Sequence, residues 1–243
     1  MINLWIYCAT VILMNSKIIS VLFTLIISIL LFEFSDVDIV LQDYLFNFRL
    51  SQWLINRDDE VLKLLFYDGI KMLYILFTLL ILSVLLLYRK KTIISGHKKG
   101  LIIVCLSLMF VPLAVGSLKA ITNIPCPKNI THYGGYFPYV TLFKRYPPNF
   151  QQLNNIKCYP AGHASGGFAL MSLFFLFKSK KNKVIALTSA ITTGWVTGGY
   201  KMLIGDHFLS HTWITMVLAW LIILIIARFV NMDNKLTAVQ SSS

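Results

Sequence analysis

The chain has 243 residues, of which 57% are hydrophobic and only 13% charged, and its formal net charge is +12. A soluble domain carries roughly 25% charged residues, and a fold of this length could not hide so much apolar surface from water. Composition therefore excludes an ordinary soluble enzyme and predicts an integral membrane protein. Its fold class is expected to be all-α, a polytopic helix bundle, because a backbone in lipid must satisfy its own hydrogen bonds.

In chain order, residues 1–17 form an N-terminal apolar segment closed by Lys17. An interfacial segment, an extension of the first span and an over-long start all fit it. A cleaved signal peptide is not expected, since no basic region leads the apolar run and no small-x-small site follows it. Residues 18–230 form a single membrane domain and 231–243 a cytoplasmic tail. About six spans of near-membrane length are predicted, at 18–34, 70–88, 101–118, 159–177, 184–200 and 208–228. Pro112 is expected to kink the third, because proline lacks the donor N–H. There is no internal repeat and no separate soluble domain.

Arg89, Lys90, Lys91, Lys98 and Lys99 crowd the connection between spans two and three, and Lys178, Lys180, Lys181 and Lys183 the one between spans four and five. The positive-inside rule places both in the cytoplasm, which leaves segments 35–69, 119–158 and 201–207 on the outer face. Segment 35–69 carries seven of the ten acidic residues, among them Asp36, Asp38 and Asp43. With Leu45, Phe46, Trp53, Leu54, Leu62 and Leu65 it reads either as an amphipathic helix on the membrane or as a connector packed on the bundle. Segment 119–158 holds Lys119, Lys128, Lys144, Arg145 and Lys157 and no acid, which favours an anionic substrate. Topology explains much of the positive charge, so nucleic acid is not an expected partner.

Pro160-Ala161-Gly162-His163 reads as a helix start: proline suits the first turn, and Gly162 lets a ligand approach the backbone. Free N–H groups there bind anions, and a histidine can protonate the leaving oxygen of a phosphate ester. A plain helix start with an incidental histidine has the same letters. His207 and His211, four apart, share a face if a helix has begun there. Zinc could use that spacing, but the intervening Glu of metalloproteases is absent and no carboxylate cluster is evident. No metal and no other cofactor is expected. Lys201 stands six residues before His207, with Gly205 between, as at a helix end turning into a short loop; it also reads as a snorkelling interfacial lysine.

Together these segments resemble the type 2 phosphatidic acid phosphatase superfamily of membrane phosphatases. The family pattern is Lys followed at a distance by Arg-Pro, then Pro-Ser-Gly-His, then Ser-Arg, five residues, His, three residues and Asp. Here the elements are Lys119 with Cys126-Pro127, then Pro160-Ala161-Gly162-His163, then Tyr200-Lys201 with His207 and His211. Order and spacing agree over roughly residues 70–227. Cys126 replaces the first arginine, Ala161 and Tyr200 the serines, Lys201 the second arginine and His211 the aspartate. Lysine keeps the charge of arginine but loses its bidentate fork.

The resemblance implies roles for individual residues. His207 attacks phosphorus and forms a phosphohistidine, while His163 protonates the leaving oxygen and then activates water. Lys119, Lys201 and the amides near Gly162 hold the phosphoryl oxygens. The family's Asp orients the nucleophile, and His211 and Asp206 are the candidates for that role here. The expected activity is a phosphoric monoester or diphosphate hydrolase. Its partner is a membrane lipid phosphate, lipid A or a polyprenyl diphosphate such as undecaprenyl diphosphate, at the outer face of a bacterial inner membrane. A lipid phosphotransferase and a non-catalytic transporter or binding protein are the alternatives; candidate groups gathered at span ends speak against transport. No oligomeric state is indicated.

Cys126 and Cys158 both fall on the predicted outer face, where an oxidising compartment allows a disulfide. Such a bridge would join the outer ends of spans three and four. Cys8 and Cys105 are expected to stay reduced.

Overall fold

The computed structural model describes residues 2–87, 96–152 and 154–240, with side chains described for 14–87, 96–152 and 154–231. The basic stretch Arg89, Lys90 and Lys91 and the Cys8 side chain lie outside the described residues.

The longest apolar runs form the longest helices. Helix α1 (Ile2–Phe34) has neither glycine nor proline in 33 residues, so the apolar N-terminal segment continues the first span as one helix. After α2 (Val37–Asp43) the chain makes a hairpin of β1 (Phe46–Asn47) and β2 (Gln52–Trp53), then α3 (Glu60–Lys63) and a π-helical turn, Leu64–Gly69, leading directly into α4 (Ile70–Leu87). Asp59 caps α3 by accepting the Val61 and Leu62 N–H groups. Helix α5 (Lys98–Thr122) is followed by an irregular segment to Pro160, then come α6 (Gly162–Ala169), α7 (Lys180–Leu203) and α8 (Leu209–Gln240).

Four helical stretches among the described residues are long and apolar enough to cross a membrane: Met14–Phe34, Glu60–Leu87, Lys98–Asn129 and Leu209–Asn231. These coincide with predicted spans one, two, three and six. The other two spans of the expected six do not meet that standard. The fourth breaks into the eight-residue α6 and a 3-10 stretch, Leu170–Phe175. The fifth falls in α7, which is 24 residues long but interrupted by Thr188, Ser189, Thr192, Thr193, Thr197, Gly198 and Gly199. Of these, Thr197 and Gly198 are buried, and Gly198 packs against Thr212 of α8, the close helix contact that small residues allow, while Thr188, Ser189 and Thr192 are exposed. A Cβ on Gly167 of α6 would come within 2.7 Å of the Gly194 backbone of α7, and one on Gly194 would run into the Phe168 ring.

Helix α6 is the hub, packed against α5, α7 and α8, with α4 on α5 and α1 on α8. Ala161, Ala164, Phe168 and Ala169 are completely buried among Val104 and Val111 of α5 and Ala219 and Ile223 of α8. Leu22, Phe23, Ile26 and Leu30 of α1 and Leu73, Leu76 and Leu80 of α4 stay exposed, a continuous apolar exterior of the kind lipid covers.

Pro112 sits inside α5 and leaves the Leu108 carbonyl, four residues earlier, without its helical donor. The Tyr74 hydroxyl of α4 supplies the missing hydrogen bond at 2.5 Å. Proline thereby becomes a tie between two helices.

Segment 35–69 is not one amphipathic helix. Turn residues break it into the short pieces above, which fold over the bundle end as a cap, and the hairpin is a small departure from an all-α chain. Phe46, Trp53, Tyr133 and Phe208 make an aromatic cluster under this cap. The 123–158 segment is anchored by Asn123, the left-handed C-cap of α5. Asn123 exchanges hydrogen bonds of 2.9 and 2.7 Å with Gln152 and accepts the Ile156 N–H at 2.9 Å. Cys126 and Cys158 form the expected disulfide, and Cys105 is free and buried.

Candidate active site

One end of the bundle gathers the last turns of α5 and α7 with the first turns of α6 and α8. Lys119 comes from α5, Gly162 and His163 from α6, Lys201 from α7, and His207 and His211 from the entry to α8. The α7–α8 connection is very tight. Gly205 takes a positive φ of 72°, where side chains are disfavoured, and the Trp53 ring fills the space a Cβ would need. The Lys201 carbonyl then accepts the N–H groups of both Asp206, at 2.7 Å, and His207, at 3.2 Å. Segments 35–69 and 119–158 both clamp this turn: Gln42 donates to the Met202 carbonyl at 2.8 Å and the Lys128 N–H to the Gly205 carbonyl at 2.9 Å.

His207 and His211 face each other with Nδ1 atoms 3.3 Å apart, and both are buried. The backbone of Cys158 lies within hydrogen-bonding reach of the His211 ring. One proton pattern that suits all three groups, assigned from the network, is the following. Nε2–H of His211 donates to Cys158, so its Nδ1 is an acceptor. Nδ1–H of His207 donates to that acceptor, which leaves Nε2 of His207 with a free lone pair. Burial, then the His211, Lys119, His163 and Lys201 neighbours, hold His207 well below the usual histidine range. Burial therefore favours its neutral form. The His211 carbonyl receives the Ala161 N–H at 3.2 Å, and Thr215 accepts the same N–H at 2.8 Å, so the entry to α8 is fixed to the entry to α6.

His163 stands across the site, its ring centroid 6.3 Å from that of His207. The Lys119 side chain lies over the start of α6: a Cβ on Gly162 would be 3.7 Å from its Nζ. The first-turn N–H groups of α6 have no helical acceptor, so they add to the positive potential. Lys201 is buried, with Nζ 4.3 Å from the Tyr67 ring centroid, and Tyr67 packs against His163 at 4.6 Å.

Asp206 does not reach the His207 ring. Its carboxylate binds Lys201 at 2.9 Å through one oxygen and Lys128 at 2.7 Å through the other, with Arg57 at 3.4 Å. Burial pushes this carboxyl upward, but the Lys128 and Lys201 ammoniums outweigh it and the net shift is below the usual range. Of the two orienting candidates, His211 is the one in contact with His207.

A cleft of about 650 Å³ runs from Gly162 and His163 down between α4 and α6. Tyr74, Phe77, Leu170 and Leu173 line it, with Tyr67 and Lys71 at the site end. Among the described residues no group of three or more His, Cys, Asp or Glu side chains is placed to hold a metal ion.

Three residues carry weight here that the motifs do not flag. Tyr67 touches both Lys201 and His163. Lys128 reaches Asp206. Asp38 of α2 is buried and accepts the Ser210 N–H of the first turn of α8 at 2.8 Å, a negative charge at a helix N-terminus. Burial raises its carboxyl to about 6. In the sequence Lys128 is one of five cations of an acid-free segment and Asp38 one of seven acids in segment 35–69.

A family model described as the PAP2 superfamily matches residues 100–235, more than half of the chain and all three motif elements. Comparison with curated proteins finds no match, and comparison with solved structures finds none either. The chain belongs to the type 2 phosphatidic acid phosphatase superfamily of membrane phosphatases.

Proposed function

We propose that the protein is a lipid phosphatase that removes phosphate from a membrane lipid phosphate or diphosphate through a phosphohistidine. The observation that carries this reading is the cleft. Its site end holds His163 and the start of α6, while its body is apolar and framed by helices of the membrane domain. A lipid can keep its chain in such a cleft and bring its phosphate to the histidines, whereas a soluble ester gains nothing from it.

In the proposed reaction, the free Nε2 lone pair of His207 attacks phosphorus and the P–O bond to the lipid breaks. His163 gives its proton to the departing oxygen. The positive charge gained by the His207 ring is met by the neutral Nδ1 of His211. In the second step His163 takes a proton from water, whose oxygen attacks phosphorus and frees His207 and inorganic phosphate. Lys119, Lys201 and the α6 amides stabilise the phosphoryl oxygens, where most of the catalytic effect on phosphoryl transfer resides.

The density of basic residues on the predicted cytoplasmic connections and the disulfide near the site support an active site on the outer side of a bacterial inner membrane. The acid-free 119–158 segment suits a polyanionic headgroup such as lipid A or undecaprenyl diphosphate. Turnover of lipid A, undecaprenyl diphosphate and a water-soluble aryl phosphate tests the reading. Efficient release from a lipid and poor release from the aryl ester is expected; comparable efficiency on the aryl ester overturns the lipid assignment.

A further inference from the structure

The family's first motif places an arginine where this chain has Cys126, and Cys126 is locked into a disulfide. The cation of that element is therefore missing from its motif position. The next residue begins a 3-10 helix, Pro127–Asn129, and the N–H of Lys128, two residues after Cys126, is pinned to the Gly205 carbonyl at 2.9 Å. This directs the Lys128 side chain onto Asp206, next to His207, where its ammonium sits 2.7 Å from one carboxylate oxygen while Lys201 holds the other at 2.9 Å. The Lys128 side chain is only about one quarter exposed.

We propose that Lys128 is a phosphate-binding residue of this site, carrying the charge lost at Cys126, and that Asp206 holds Lys128 and Lys201 as a pair for the incoming phosphate. The geometry supplies the reason. Two ammonium groups on the two oxygens of one carboxylate are spaced to grip two oxygens of one phosphate, since both are compact oxyanions with charge spread over neighbouring oxygens. The excess of cation supplies the driving force: Lys128, Lys201 and the half-exposed Arg57 surround a single carboxylate. Lys119 feels the charges of Asp206, Lys201 and Lys128 together, so all belong to one electrostatic group. A dianionic phosphate entering it competes with Asp206 for the two ammoniums. Asp206 therefore restrains phosphate affinity while keeping the lysines in register, and a monoester and a diphosphate both find a second cation beside Lys201.

The inference rests on the phosphatase reading, and the two separate in one experiment. Full-length protein in phospholipid nanodiscs is assayed for phosphate release from a lipid phosphate, with inorganic phosphate as competing product. Lys128→Ala is expected to raise both KM and the phosphate inhibition constant by about tenfold or more, the loss expected for one charge-assisted hydrogen bond. Lys128→Arg is expected to recover most of that loss. Asp206→Asn is expected to tighten phosphate inhibition, because it releases two cations. If Lys128 merely braced the loop through Asp206, Asp206→Asn and Lys128→Ala would weaken inhibition alike, and that outcome overturns the inference. Inhibition within twofold of wild type in a folded Lys128→Ala also overturns it while leaving the phosphatase reading intact. A wild type that neither releases phosphate nor responds to it overturns both. Monodispersity and thermal unfolding are recorded for each variant; should Lys128→Ala not fold, the sign of the Asp206→Asn effect decides.

Discussion

His207 and His211 meet through their Nδ1 atoms, 3.3 Å apart, at the position where the family pattern pairs histidine with aspartate. In the proposed mechanism a neutral imidazole takes the place of the carboxylate that orients the nucleophile. In that mechanism His211 relies on a second partner, the Cys158 backbone, to set its own tautomer.

This relation yields the first prediction. His211→Leu is expected to lower kcat by about 10²–10⁴-fold, the range for losing the group that orients a catalytic histidine, with little change in KM. His211→Asp restores the family pair and is expected to retain far more activity than His211→Leu. Steady-state kinetics of the two variants checks this, and equal loss in both would show that the pair does not orient His207.

The disulfide supplies the second. Cys126 and Cys158 are 32 residues apart in sequence with Cα atoms 5.3 Å apart, and the bridge ties the end of α5 to the strand of chain that enters α6. Closing a loop of that length stabilises a fold by about 3–4 kcal/mol in the chain-entropy picture. Cys126→Ser with Cys158→Ser is expected to lower the unfolding midpoint and to cut activity, because Cys158 also faces His211. Thermal unfolding and non-reducing peptide mapping of wild type and the double variant provide the check.

Asp38 gives the third, a pH dependence with a definite sign. Burial raises its carboxyl from 3.8 to about 6, so the folded state holds the Asp38 proton more tightly than the unfolded chain. Its contribution is most favourable below about pH 4 and declines as pH rises to 6, by up to about 3 kcal/mol. Asp206 works the other way: its lowered value gives stability above 3.8 that is lost as pH falls. Comparing wild type with Asp38→Asn isolates the first effect. The stability advantage of Asp38→Asn is expected to grow between pH 4 and 6 and then level off, as read from unfolding midpoints across that range.

Composition alone carried the membrane class, and the motif residues Lys119, Gly162, His163, Lys201, His207 and His211 do come together at one end of the bundle. Their legibility has a physical reason: each sits at a helix terminus, where spacing along the chain translates directly into position. Spans four and five were harder to read. Hydropathy cannot distinguish a helix facing lipid from one such as α6, buried among other helices, and in α7 Gly194 reflects contact with α6 and Gly198 contact with α8. The Asp38–Ser210 and Lys128–Asp206 contacts join residues far apart in sequence or separated by an irregular loop, with no periodicity to betray them. Tyr67 lies in a π-helical turn, so ordinary helical spacing misplaces it.

The most direct test is phosphate release from a lipid phosphate by purified wild-type protein and His207→Ala in the same bilayer preparation. The account predicts steady release by wild type and essentially none by His207→Ala, with both proteins folded and equally thermostable. Release by His207→Ala at the wild-type rate, or none by wild type on any lipid phosphate, would contradict it.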